Sequence, residues 1–449
     1  MTFYREASPQ YSIIDSMNDS LRFTTRRCLD VHQGNLCATS TFVDPGGEPA
    51  RWHYFGEIEG VGWACNAVGG AHELLCYARL FHDSRLAAIA TSLLYHALEA
   101  GFFQDDGTIR GYRHIPSNRL YYTYLHDDRY DTWICPGANA QIALELLWAS
   151  DEVDGVLRDR LCERAVKIAD WLIAHVPRCA NGWYPRRCTP EGEPFTHSAD
   201  GRKLDTQFDH SGAGAYLLWL WAELSARGLR DCRRELQRAV GVFRDLGGAF
   251  GSINHDTYDD HENVAYSVSF RALRLAASLL RDSALFDWAL EHCLHGLERF
   301  EMSDNRNGVE TRGLLYMEDS WDTSYLWENA EAAHAWFEAA LDCQNRAYEL
   351  KGLTILRAAA LHHHGEYGFL TEGVDWNNFN HQWQEFDGKR IYIHVGGVVY
   401  GDVNFTQPFL NNMHITSPTL YYLERLAARR MDGSKTTLLD CEDNPLATL

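Results

Sequence analysis

The sequence predicts an all-α fold: a closed ring of helical hairpins with a small β-hairpin insertion near residues 389–405. Three observations carry this. An apolar, small-residue helix followed by a short turn and a charged amphipathic helix recurs five times along the 449 residues, at a period of about 55–75. The composition, 45% hydrophobic and 23% charged, allows a large buried core. The segments joining one hairpin to the next are long and crowded with Trp, Tyr, Asp, His and Asn. Length alone would give two or three domains, but a repeat array grows as one unit. The expectation is therefore one body over 1–449, with 365–410 laid as an insertion over the mouth of the ring.

The hairpins are read in order as Gly62–Arg79 with Ser84–Glu99, Pro136–Ala149 with Val156–His175, and His210–Ser225 with Asp231–Leu246. Glu262–Leu280 with Ser283–Phe300 and Tyr325–Leu341 with Asn345–His362 follow. A last helix, Thr416–Arg430, needs a partner, and Ser12–Val31 can supply it, closing the ring as a sixth hairpin. Within each pair the helices differ in kind. Leaders such as Ser211-Gly-Ala-Gly-Ala-Tyr and Asn329-Ala-Glu-Ala-Ala are apolar nearly all round, the mark of burial on every side. Followers such as Arg230-Asp-Cys-Arg-Arg-Glu-Leu-Gln-Arg-Ala-Val are one-sided. The leaders form an inner ring and the followers an outer one. Short inner-to-outer turns and long outer-to-inner loops then gather the loops on one face, as in a repeat-array binding surface. After residue 365 the texture changes, and the alternating, β-branched run from Lys389 to Tyr400 reads as a strand pair.

The formal net charge is -21, from 41 Lys+Arg against 62 Asp+Glu. That field repels phosphate backbones and argues against nucleic acid. Twelve cysteines include no CxxC pair, and Cys28/Cys37 and Cys179/Cys188, each nine apart, have no His at ligand spacing. No metal and no cofactor are expected. No basic n-region precedes an apolar stretch at the N-terminus, and no run approaches eighteen apolar residues. The expectation is a cytoplasmic protein with no membrane span.

Helical hairpins with an aromatic-rich loop face, carrying Gly101-Phe-Phe-Gln-Asp-Asp-Gly and Asn181-Gly-Trp-Tyr-Pro, resemble the six-hairpin (α/α)6 toroid of carbohydrate-active enzymes. That superfamily includes glycoside hydrolases, unsaturated glucuronyl hydrolases, N-acylglucosamine 2-epimerase-like isomerases and toroid domains of polysaccharide lyases. The resemblance is architectural and covers roughly residues 50–430. It assigns no catalytic residue, and the His-rich inner-helix pattern expected of the epimerase-like group is not recognised.

The densest polar cluster runs from Asn254 to Asn263, with four acids and two His within eight residues. Helix capping accounts for one or two of them. Neighbouring carboxylates repel, which raises one of them towards a general acid. Asp259 or Asp260 is the candidate, beside Tyr258 and His261. Three loops share a smaller signature, Tyr130-Asp131-Thr132-Trp133, His255-Asp256-Thr257-Tyr258 and Trp321-Asp322-Thr323-Ser324-Tyr325. Each alone reads as a cap with an aromatic staple. Around one mouth they place carboxylates beside aromatic faces, the needs of a sugar's hydroxyls and its C–H face. Asp209 with His210 opens the third inner helix, either as a cap or as an acid/base unit. Glu328 sits on a nearly all-apolar helix and demands a ligand or an ion-pair partner. Arg113, His114, Arg186 and Arg187 are solvated loop charge, or else a clamp on a sugar carboxylate. Asp375-Trp376-Asn377-Asn378 reads as a lid, and the His362–His364 run as exposed.

These residues together favour a glycoside hydrolase acting on a small glycoside or oligosaccharide. One of Asp259/Asp260 would pair with Asp322, Asp209 or Asp131 as acid and base or nucleophile. Trp133, Trp183, Trp321 and Trp376 would wall the subsites. The alternatives are a sugar epimerase or isomerase using His210, His255 or His261, a uronate lyase using Arg113 or Arg186, and a glycan-binding scaffold. No G-x-G-x-x-G, P-loop, H-E-x-x-H or G-x-S-x-G motif is present.

Overall fold

The computed structural model describes residues 11–39, 57–195, 211–253, 259–306, 310–319, 323–362, 370, 373–376, 382–386, 389–393 and 413–426. Six helices form the inner ring: α2 (Ala67–Phe81), α4 (Pro136–Asp151), α6 (Gly214–Ala226), α8 (Asn263–Leu280), α10 (Leu326–Cys343) and α12 (Thr416–Tyr421). Each packs on the next, and α12 touches both α10 and α2, so the ring closes. Outside them lie α3 (Ser84–Glu99), α5 (Gly155–His175), α7 (Arg233–Asp245), α9 (Ser283–Ala289) and α11 (Arg346–Ala360), each against its own leader. The sixth outer helix is α1 (Ile13–Arg27), which packs on α12 and α11. The N-terminal segment thus closes the ring in the way the unpaired last helix requires.

The two rings differ chemically for the reason visible in sequence. In α6 nearly every residue is buried, including Trp219 and Trp221. In α7 the buried set is Leu236, Ala239, Val240 and Phe243, one stripe at helical spacing. Each fully buried large side chain such as Trp221, Phe270 or Phe337 contributes roughly 1.5–3 kcal/mol through the area it withdraws from water. Local signals set the helix starts. Ser12 and Asp15 form a reciprocal capping box on α1, Asp83 caps α3, and Pro136 occupies the first turn of α4, where no amide hydrogen bond is lost. The ring is tight where the leaders begin. A Cβ at Gly137 would lie 2.5 Å from both Cβ and the carbonyl oxygen of Ala213.

The outer helix after α9 departs from regular geometry: a π turn at Leu290–Leu294 runs into a 3-10 segment at His295–Phe300. Gly296 lies there against the Tyr266 ring, which a Cβ would meet at 2.3 Å. The small strands sit in the connections. β1 (Leu29–His32) pairs with β2 (Asn35–Ala38), and β3 (Ile58–Gly60), β4 (Tyr112–His114) and β5 (Arg119–Tyr121) form one antiparallel sheet. β6 (Thr323–Tyr325) leads directly into α10 and pairs with β7 (Gly373–Asp375). The run beginning at Lys389 is β9 (Lys389–Ile393), whose partner β8 (Gln382–Phe386) precedes it in the chain. His362, read from sequence as exposed, is buried at the end of the fifth hairpin and bonds the Glu310 carbonyl at 2.7 Å. Among the described residues no helix is long and apolar enough to cross a membrane.

Candidate active site

A cavity of about 410 Å³ runs down the bore of the ring, within the range typical of small-molecule sites. Trp63, Tyr124, Trp133 and Trp327 stand among its lining residues on the loop side, with Trp63 and Tyr124 edge to face at 5.3 Å. Such faces stack on apolar ligand surface while leaving polar edges available.

Deeper in, ionisable groups project from inner helices that are otherwise apolar. On α10, Glu331, His334 and Glu338 follow a three- and four-residue spacing that puts them on one face, one turn below Trp327. Arg271 reaches them from α8. Its Nη1 donates to Glu331 Oε1, and its Nη2 donates to Glu338 Oε1 at 3.3 Å and lies 3.4 Å from His334 Nε2. The guanidinium also stacks over the Trp219 ring, 4.6 Å from its centroid. His414, in the turn before α12, places Nε2 3.1 Å from Glu331 Oε2.

Donor arithmetic fixes the proton positions. Arginine only donates, so His334 Nε2 accepts from Arg271 and its proton sits on Nδ1. Burial and the adjacent Arg271 push the His334 imidazole well below its usual range, which keeps it neutral. Burial alone would raise the Glu331 carboxyl. Arg271 and His414 outweigh that and hold it below the usual carboxylate range. Glu331 is therefore an acceptor, and His414 Nε2 donates to it. The other ring nitrogen of His414, Nδ1, is buried with no partner among the described residues.

The facing wall comes from α2 and α4. Glu73 and Glu145 line it, both buried. Burial, then Glu331 and Glu145, push the Glu73 carboxyl well above its usual value. Burial pushes Glu145 up to about 8, against hydrogen bonds from Asn66 and Gln141. Among the described residues no cluster of three or more His, Cys, Asp or Glu is placed to hold a metal ion.

Of the residues singled out by sequence, Trp133 and Arg186 line the cavity. The guanidinium of Arg187 lies 4.2 Å from the Trp133 ring centroid, and Arg186 donates to the Ser252 carbonyl at 3.3 Å. Asp131 serves the same loop from behind. Its Oδ1 accepts from the amides of Tyr122 (2.5 Å) and Thr123 (3.2 Å), both lining residues. The others lie away from the lining. Trp183 is fully buried, donating Nε1–H to the Ser211 carbonyl among Phe243 and Phe250. Arg113 bonds the buried Glu59 at 3.0 Å. Glu328 accepts from Asn263 Nδ2 at 2.9 Å, satisfying the demand for a partner through an amide. Trp376 packs edge-on against Tyr316, 5.5 Å between centroids. Asp259 and Asp260 engage through their carbonyls, with Ser252 Oγ (3.2 Å) and the Gly251 amide (2.5 Å), and His261 Nδ1 meets Tyr266 Oη at 2.8 Å. Asp209, His210, Tyr258, Trp321 and Asp322 fall outside the described residues, as does His255.

The residues that do converge, Arg271, Glu331, His334, Glu73 and Glu145, all lie on inner helices, with His414 beside them. Their signal in sequence is a charge on a segment apolar all round, which cannot stay unpaired. On α10 that signal is the stretch Glu331-Ala-Ala-His334.

The bore, the two concentric rings and the loop-side cavity define an (α/α)6 toroid. Solved structures share this fold at low identity. One is a sugar epimerase from a ruminal bacterium, 12% identical, with a TM-score of 0.62 over 94% of this chain and 99% of that one. Cellobiose 2-epimerase from Bacillus thermoamylovorans is 11% identical, at 0.60 over 92% and 99%. A family 76 glycoside hydrolase from a bovine Bacteroides thetaiotaomicron strain is 13% identical, at 0.57 over 93% and 78%. No protein-family model matches the sequence, and no curated protein matches it either.

Proposed function

We propose that this cavity is the active site of a sugar epimerase or aldose–ketose isomerase, an enzyme that moves a proton at the carbon beside a carbonyl. One observation carries the reading: His414, a lining residue held through Nε2 by the ionised Glu331, keeps an Nδ1 with no partner among the described residues, beside a cavity that neutral His334 also lines. Nδ1 of His414 takes the proton from the carbon, and the electrons shift onto the carbonyl oxygen to give an enediolate. The imidazolium so formed is stabilised by Glu331, and Arg271 supplies positive charge for the enediolate. Returning a proton to the opposite face of that carbon epimerises it, and returning it to the neighbouring carbon isomerises it. His334 Nδ1–H would donate a hydrogen bond to the enediolate oxygen. Trp63, Trp133 and Trp327 would stack on the sugar ring. The sugar epimerase and cellobiose 2-epimerase that share the fold support this chemistry.

The test is incubation with aldoses, ketoses and short oligosaccharides in deuterated water, followed by proton NMR. Deuterium entering at the carbon beside the carbonyl is the expected result, and its absence with every sugar would sink the reading. A second reading, glycoside hydrolysis, is favoured by Glu145: a buried carboxyl at about 8 suits a general acid facing the ionised Glu331. In the same samples hydrolysis appears as new reducing ends without deuterium at carbon.

A further inference from the structure

The wall opposite Arg271 carries two acids that have no ion-pair partner within bonding distance among the described residues. Glu73 and Glu145 are more than nine-tenths buried and both line the cavity. Arg271 is committed to Glu331 and Glu338, and Glu338 also lies 3.6 Å from Arg274. The Oε2 of Glu73 is buried without a partner among the described residues. Glu145 accepts at Oε1 from Asn66 Nδ2 and Gln141 Nε2, each at 3.2 Å, and its Oε2 is likewise unpartnered. Asn139 Nδ2, on the same wall, completes the set. The Glu145 carboxyl fits against α2 because residue 69 is glycine: a Cβ there would lie 2.9 Å from Glu145 Cδ and Oε1. Buried polar atoms left without partners are rare because they are costly. Three on one cavity wall imply a ligand group that satisfies them.

We propose that Glu73 and Glu145 form a subsite for a protonated amine, and that the substrate is an amino sugar whose nitrogen carries no acyl group. This extends the isomerase site above and rests on that reading for the chemistry, though not for the binding. An ammonium offers three donors and no acceptor, the complement of two carboxylates, whereas a sugar hydroxyl offers one donor. Asn139 Nδ2 then donates to the hydroxyl beside the amine. The formal charge of -21 draws a cation towards the cavity. In the empty cavity the two carboxyls avoid the cost of buried charge by holding protons, as their raised values require. The arriving ammonium displaces those protons to the buffer, so binding and proton release are one event.

Isothermal calorimetry decides it. Wild type is titrated with 2-amino-2-deoxyhexoses, their N-acetylated forms and the parent hexoses at about pH 6.5, where the sugar amine is charged. Two buffers of different ionisation enthalpy report the protons released. The free amines should bind about tenfold or more tightly than the parents, the difference expected of a charge-assisted hydrogen bond, and release protons as they do so. N-acetylated sugars should bind no better than the parents. In folded Glu73→Gln/Glu145→Gln protein the preference should vanish. If parents bind as tightly as amines, or the variant keeps the preference, the subsite is wrong. Should the double variant fold poorly, proton release by wild type and the single Glu145→Gln variant still decide. Selective amine binding with no deuterium incorporation would retain the subsite and remove the isomerase reading. Deuterium entering a neutral hexose with no amine preference would do the reverse.

Discussion

His414 and Glu331 meet at 3.1 Å, the imidazole Nε2–H on the carboxylate Oε2, while the other carboxylate oxygen takes Arg271. One carboxylate thus fixes the tautomer of a histidine from the turn before α12 and the position of an arginine from α8. The chain must close its ring before either is in place. Because Nε2 is spent on Glu331, Nδ1 is the nitrogen with the free lone pair, and the carboxylate behind the imidazole fixes the orientation of the ring.

His414→Ala should abolish exchange of the carbon-bound proton, lowering kcat by about 10²–10⁴-fold, the span of general base catalysis. The side chain is largely buried against Trp327 and donates to the buried Glu331, so the melting temperature should fall as well, and exchange is read below the variant's transition, on folded protein. Deuterium wash-in and a thermal melt on the same sample check both halves. A variant that still exchanges at the wild-type rate would remove His414 as the base.

Glu331→Gln attacks the same pair from the other side. Arg271 keeps Glu338 but loses its direct carboxylate, and breaking one member of a buried pair costs about 3–5 kcal/mol. The pH dependence has a defined sign. The Glu331 value is depressed in the fold, so its stabilisation is full above the unfolded carboxylate value and disappears as pH falls through the folded one. Denaturant midpoints for wild type and Glu331→Gln should therefore differ most near neutrality and converge in acid. A gap that stays constant with pH would mean Glu331 is not held ionised by Arg271.

The architecture was legible because it rests on periodicity. Small apolar leaders such as α6 and one-sided followers such as α7 declare their rings by which faces lack charge, and the unpaired Thr416 helix demanded the N-terminal partner that α1 supplies. The chemistry was less legible, for a geometric reason. Loop acids such as Asp259 and Asp260 are dense in sequence yet engage here through backbone carbonyls. Glu73, Glu145, Arg271 and Glu331 are scattered over some 260 residues of sequence and meet only because four inner helices turn one face each to the bore. Asp131 shows a middle case. It was singled out as a catalytic carboxylate and is found bonding the amides of a loop that borders the cavity.

Gly137→Ala tests the tightness of the inner ring. The new methyl would meet the Ala213 carbonyl oxygen at 2.5 Å, and a backbone oxygen at a helix start cannot swing aside. Overpacking of this kind costs about 1–3 kcal/mol. Gly241, on the exposed side of α7 with nothing within 4 Å, is the control. There the alanine should stabilise by about 0.5–1 kcal/mol through helix propensity. Urea unfolding of the two variants should move in opposite directions, and a destabilised Gly241→Ala would mean that α7 is not the exposed regular helix described.

Glu145 makes a prediction at the other end of the pH scale. Its folded value, about 8, lies above the ordinary 4.5, so the folded state binds the proton more tightly than the unfolded chain does. The sign is opposite to that of Glu331: folding is favoured while the carboxyl is protonated, and stability falls as pH rises from 4.5 through about 8. Glu73, raised in the same direction, adds to the fall. His334 works on the acid side, because its value is depressed and stability is lost as pH drops below the ordinary 6.5. Wild type should therefore lose a few kcal/mol between about pH 6 and pH 9. Glu145→Gln, which stays neutral and keeps an oxygen for Asn66 and Gln141, should flatten that limb and be the more stable protein at about pH 9. Unfolding curves collected across this range read the slope directly. If wild type and variant run parallel, Glu145 is not the group that carries the alkaline loss.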